Sequence, residues 1–189
     1  MNRYPAPEIH NLPPDLREKI LEVQEKAGFV PQVFLSLARR PAEWRAFFAY
    51  HDALMLREDS GLTKGDREMI VTTTSAANHC LYCVMAHGAI LRIYAKNPLV
   101  ADQVAVNHHK ADISIRQKAM LDFAIKVCLD SQSVGDQDFH ALKEQGFDEE
   151  DIWDITAITG FFGMSNRMAN VLSMRPNDEF YLLGRLPKK

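Results

Sequence analysis

Cysteine is scarce in this chain, with three in 189 residues, which excludes a small secreted scaffold held together by disulfides. An excess of either charge is missing too. Twenty-two lysines and arginines against 25 aspartates and glutamates leave a formal net charge of −3, and no long run of one sign occurs. Nucleic acid and anionic membranes are therefore not expected as main partners. Nor does any hydrophobic run approach the roughly 18 residues that a membrane span requires; the longest covers residues 155–164. The opening MNRYPAPEIHNLPPD lacks the apolar stretch of a secretory signal, so a cytoplasmic protein is expected.

Proline is absent between Pro41 and Pro98, and again between Pro98 and Pro176, which leaves room for long helices. Two-residue alternation is not sustained anywhere, and no Asn-Gly or Asp-Gly hairpin turn occurs, so strands are not expected. Apolar residues instead recur at helical intervals: Leu16, Ile20 and Val23; Trp44, Phe47, Phe48, His51 and Leu54; Met69, Ile70 and Thr73; Met120, Leu121 and Ala124; Ile152, Ile155, Ile158 and Phe162. Start and stop signals agree with them. Gly28 closes the first stripe and Pro41 opens the second; Thr63 with Asp66, and Ser114 with Gln117, read as capping boxes. The acidic run Asp148–Asp151 suits a helix N-terminus. The expected fold is all-α: a single-domain helical bundle over residues 1–189, with extended arms at both ends.

What the composition leaves unexplained is that two of the three cysteines lie three residues apart. Cys80, Cys83 and His87 share one helical face, with Asn78 a plausible N-cap for their helix. Glu68 lies 12 residues before Cys80, about 18 Å along a continuous helix. A helical hairpin turning near Asn78 changes this, because the midpoint between positions 68 and 87 is 77.5, which sets Glu68 level with His87. A carboxylate there would orient the imidazole as a proton relay to a thiol. The helix dipole favours a thiolate at Cys80, whereas a charged His87 beside Cys83 is the larger effect. Attack is therefore expected from Cys83 and resolution from Cys80.

Other readings of these residues remain open: a general thiol–disulfide oxidoreductase or redox sensor, an accidental spacing in a structural oligomer, or a zinc site from His79, Cys80, Cys83 and His87. A c-type haem is excluded because Val84 follows Cys83. No cofactor or metal is expected. Tyr82 could orient a substrate through its hydroxyl or simply pack; His79 could tune Cys80 or be a solvent-facing cap residue. Cys128, on the Leu121–Ala124 stripe, reads as a buried inert thiol. His51 reads as a core histidine, His108-His109-Lys110 as a basic helix end, and Asn166 and Arg167 as interface anchors.

The pattern Glu68-x11-Cys80-x2-Cys83-x3-His87 in an all-helical chain resembles the alkyl hydroperoxidase D-like branch of the carboxymuconolactone decarboxylase family. The segments RRPAEWRAF, LTKGDREMIV, ANHCLYCVMAHG, QKAMLDFAIKV and GFDEEDIWDI resemble the group called peroxidase-related proteins. The resemblance implies a redox-active cysteine pair and homo-oligomers, often trimers or hexamers. It makes Cys83 peroxidatic and Cys80 resolving, with His87 and Glu68 as the proton relay. The implied activity is thiol-dependent reduction of a small peroxide, at the expense of an unknown thiol reductant. The match departs at Tyr82, where the best-studied hydroperoxidases carry a histidine; here the extra imidazole is His79. True carboxymuconolactone decarboxylases lack the cysteine pair, so lactone decarboxylation is not expected.

Overall fold

The computed structural model describes residues 3–185. Ten α-helices follow one another: α1 (Pro14–Ala27), α2 (Gln32–Leu37), α3 (Pro41–Met55), α4 (Lys64–Ala77), α5 (Leu81–Ala95), α6 (Val100–Asn107), α7 (Ile115–Asp130), α8 (Asp136–Glu144), α9 (Glu149–Val171) and α10 (Glu179–Leu182). Single 3-10 turns cover Ile9–Asn11, His108–Lys110 and Ser131–Ser133, and there is no strand among the described residues. The fold is all-α. None of these helices is long and apolar enough to cross a membrane.

Local chemistry sets the helix ends. Pro14 and Pro41 occupy the first turns of α1 and α3, where a missing N–H costs nothing, and Gly28 closes α1 in the left-handed region (φ 83). Both expected capping boxes form at α4 and α7. A third caps α9, where Asp148 accepts the Asp151 N–H at 2.8 Å and Asp151 accepts the Asp148 N–H at 3.3 Å.

Helix α4 is the axis of the bundle, touching α5, α6, α7 and α9, and it is buried continuously from Asp66 to Ser75. Burial on every side is the mark of a central helix. The principal apolar core surrounds it with Ile70, Leu91, Leu121, Ile155 and Phe162. A second cluster joins α1 to α3 through Leu16, Ile20 and Trp44. A third gathers Cys80, Tyr82 and Cys83 with Met174 and Phe180.

The α3–α4 loop is pinned to α9, which fixes where α4 begins. Asp154, buried on α9, accepts from Arg57 at 2.9 Å and from the Ser60 hydroxyl at 2.7 Å. Directly after Ser60, Gly61 runs so close to Asp151 that a Cβ there would stand 2.3 Å from its carboxylate.

The terminal segments expected as arms lie along the chain's own body. The Arg3 N–H donates to the Leu172 carbonyl at 2.8 Å, Arg39 stacks on the Tyr4 ring at 5.0 Å, and Met174, Pro176 and Phe180 are buried. The outermost arm residues, 1–2 and 186–189, lie outside the described residues.

Because Asp151 is both buried and part of the α9 cap, it has little room to yield. Gly61→Ala is expected to lower the free energy of unfolding by about 1–3 kcal/mol, read by urea denaturation. A loss under about 0.5 kcal/mol would show that the loop moves aside freely.

Candidate active site

The site is built on the α4–α5 hairpin, which turns without glycine or proline. Asn78 ends α4, its N–H donating to the Thr74 carbonyl at 3.0 Å. It does not cap α5 as expected; Cys80 holds that position. His79 between them is left-handed at φ 53, a conformation that histidine adopts more readily than most residues. The Cys80 N–H then closes the turn on the Ser75 carbonyl at 2.9 Å.

This turn places Glu68 against His87. The imidazole Nδ1 lies 2.7 Å from Glu68 Oε2, and both side chains are largely buried (13% and 7% exposed). A carboxylate on Nδ1 selects the tautomer that leaves Nε2 as the nitrogen able to accept or return a proton. Phe162 from α9 stands edge-on to the ring, 4.7 Å away at 80°. His51 packs on the same phenylalanine (6.3 Å) and bonds Asp52 Oδ1 at 2.9 Å. Burial first, then the nearby His87 charge, lowers its pKa against the pull of Asp52.

The cysteines are unbonded thiols buried in one cluster, near enough for each to act on the other's acidity. Their acidities split. The Cys80 pKa falls to about 7, held down first by the Cys83 S–H, then by the Cys83 backbone N–H and the His87 charge, against the cost of burial. Cys83, beside the Cys80 sulfur and itself buried, moves the other way. Sequence spacing leads to the expectation that His87 lowers Cys83. Instead the influence of Cys80 and burial outweigh any such pull and raise it, and the His87 charge counts among the lesser influences on Cys80.

Two expected auxiliaries are turned elsewhere. The Tyr82 hydroxyl accepts the Val33 N–H at 3.1 Å, its ring is buried, and burial keeps the phenol protonated. His79 is exposed in the turn. The four residues of the zinc reading do not converge. Among the described residues, the ligand atoms within 4.8 Å of one another are those of His108, His109 and Asp122, and their hydrogen bonds tie the turn after α6 to α7.

Asn166, expected at an interface, belongs to the site. It is fully buried, donates to the Ser75 hydroxyl at 2.9 Å and accepts from the Asn78 amide at 2.9 Å. Its amide also acts on the sulfurs, favouring the thiolate of each. Only its place on α9, 83 residues from Cys83, hid this. Cys128 is half-buried rather than a core thiol. Its sulfur accepts from Asn78 at 3.3 Å and borders a groove of about 590 Å³ with Arg167 and Met168. A second groove of about 640 Å³, between α3 and α9, is lined by Trp44, Phe47, Tyr50 and Phe161.

Residues 41–106, which span α3 to α6, match the model of the carboxymuconolactone decarboxylase family. A structure described as an alkylhydroperoxidase AhpD core, an uncharacterised peroxidase-related protein from Ralstonia eutropha JMP134, is 71% identical. It superposes with a TM-score of 0.97, over 99% of this chain and 98% of its own. The chain belongs to the alkylhydroperoxidase D-like branch of that family. A peroxidase-related protein from Silicibacter sp. TM1040 is similar at 37% identity and a TM-score of 0.92, covering 97% and 96% of the two chains. The debrominase Bmp8, in complex with 2,3,4-tribromopyrrole, shares the fold at 17% identity and a TM-score of 0.77, over 97% of each chain. No curated protein matches the chain.

Asn166 gives this family member a testable anchor. Asn166→Ala is expected to raise the lower thiol pKa of the pair above about 7, seen as a shifted pH titration of thiolate absorbance. It should also destabilise the fold by about 1–3 kcal/mol, because Asn78 and Ser75 lose a buried partner. An unmoved titration would remove the amide from the thiols' electrostatics.

Proposed function

We propose that the chain is a thiol-dependent peroxidase that reduces a small peroxide at the Cys80/Cys83 pair. The observation that carries this reading is a buried pair of neighbouring thiols, one with its pKa lowered to about 7, together with a Glu68–His87 hydrogen bond of 2.7 Å on the same hairpin. A thiolate is the reactive species towards a peroxide, and its product needs a second thiol within reach. The peroxidase-related descriptions of its relatives support an antioxidant role.

In the resting pair the thiolate is on Cys80 and the proton on Cys83. Cys83 becomes the nucleophile when that proton passes to Cys80. The Cys83 thiolate then attacks the distal peroxide oxygen. The S–O bond forms as the O–O bond breaks, giving a sulfenic acid on Cys83 and an alcohol whose proton comes from His87, held by Glu68. The imidazole next takes the Cys80 proton, Cys80 attacks the Cys83 sulfur, and water leaves with that proton as the disulfide closes. Two electrons pass from the dithiol to the peroxide, and an external thiol must restore them. We further propose a homo-oligomer as the working form and the cytoplasm as its place.

The assignment of roles is tested by trapping the sulfenic acid in single-cysteine variants. Cys80→Ser is expected to accumulate the adduct on Cys83. Accumulation in Cys83→Ser alone, at the wild-type rate of oxidation, would transfer the attack to Cys80. His87→Ala should slow stopped-flow oxidation by hydrogen peroxide about 100-fold, and an unchanged rate would end the relay. Oxidation of the wild type should accelerate as pH rises through about 7, where the pair loses its first proton, and level off above. If no peroxide oxidises the pair faster than a free dithiol while disulfide substrates do, the chain is a thiol–disulfide oxidoreductase instead.

A further inference from the structure

The pair has no opening to solvent, since Cys80 is 0% and Cys83 2% exposed. Neither groove described above is lined by either sulfur. What closes the site is the segment after α9. Ser173 is left-handed at φ 55 and turns the chain back, so that Met174 and Phe180 join the two cysteines and Tyr82 in one buried cluster. The Phe180 ring stands edge-on to Phe29 at 5.1 Å and to Tyr82 at 6.4 Å.

Polar fastenings hold this segment down. Asn177 accepts the Gln32 N–H and donates to the Val30 carbonyl, both at 3.0 Å. Arg92, buried on the same helix as the cysteines, donates to the carbonyls of Phe180 at 2.7 Å and Leu183 at 2.9 Å. Arg185 grips Asp102 of α6 with two bonds of 2.7 and 2.8 Å. Beyond Met174 and Phe180 the segment's apolar contacts come from Pro176 and Leu183, and its outer clasp is a solvent-accessible ion pair. Segments held in this way open locally at far lower free energy than the core.

We propose, resting on the peroxidase reading, that residues 173–185 are the specificity element of the site. Small local fluctuations of the segment admit a peroxide the size of hydrogen peroxide. A bulky organic hydroperoxide, or a reductant carried on a larger molecule, reaches the sulfurs only when the segment lifts. Phe180 is the cover and the Arg185–Asp102 pair is the outer clasp. Tyr82 is the surface on which the cover rests, which is the use found for the residue where the family pattern departs.

Access is read first by alkylation, with each rate divided by that of a free dithiol. Iodoacetamide should modify the wild-type pair at least about tenfold faster than fluorescein maleimide does, because the larger reagent samples only the open population. In Phe180→Ala that preference should largely vanish, and in Arg185→Ala, which leaves the buried cover intact, it should fall by about threefold. Hydrogen peroxide against cumene hydroperoxide should show the same ordering. A wild-type preference near one, or one unchanged in both variants, overturns the proposal. If alkylation shifts as stated but neither peroxide oxidises the pair, the cover stands and the peroxidase reading fails.

Discussion

The turn at residues 78–80 must reverse the chain in the middle of the bundle, and His79 does this at φ 53. For a residue with a side chain, that conformation costs roughly 1–2 kcal/mol. The surroundings offset it with hydrogen bonds. The Cys80 N–H meets the Ser75 carbonyl, the Asn170 amide takes the Asn78 carbonyl at 3.1 Å, and the Asn78 amide meets Asn166. A turn longer or shorter by one residue would rotate α5 by about 100° relative to α4. His87 would then leave Glu68, and Cys83 would leave the buried face. The relay and the thiol pair therefore share one origin in a single strained residue.

That origin works only because α4 is buried on all sides yet carries polar groups. Glu68, Thr74 and Ser75 lie inside the bundle, where an unpaired polar atom is costly. Each has a partner: Glu68 takes His87, Thr74 bonds back to the Ile70 carbonyl, and the Ser75 hydroxyl accepts from Asn166. A low-dielectric surrounding strengthens these bonds and holds the groups in one arrangement. The polar seam along α4 and α9 is thus where the fold is committed to a chemical task rather than to packing alone.

Much of this was legible from residue order because it is local. The Thr63–Asp66 and Ser114–Gln117 boxes, the Gly28 stop and the hairpin that levels Glu68 with His87 all follow from neighbours within a few turns. The family pattern was equally local. Asn166 was not legible, since it reaches the sulfurs from another helix and its spacing to them carries no period. Cys128 misled for the converse reason: its stripe points at α4, but the groove beside it leaves the thiol half-open. The split of thiol acidities turned on the effect of each thiol on the other, which spacing alone assigns to neither sulfur.

Burial and reactivity pull against each other at such a pair. Desolvation raises the pKa of both thiols, so enclosure by itself would suppress the reactive form. The structure answers with donors rather than water: the partner S–H, a backbone N–H, His87 and the Asn166 amide. These act at fixed geometry and need no reorganisation when charge moves. Enclosure then has a use on the peroxidase reading. A sulfenic acid survives only if its partner thiol arrives before a second oxidant. Two sulfurs held in contact under Phe180 react as an intramolecular pair, with the high effective concentration that such pairs enjoy, while further peroxide must wait outside. The same cover stands between the disulfide and its reductant, so a closed segment protects the intermediate and an opening segment completes the cycle.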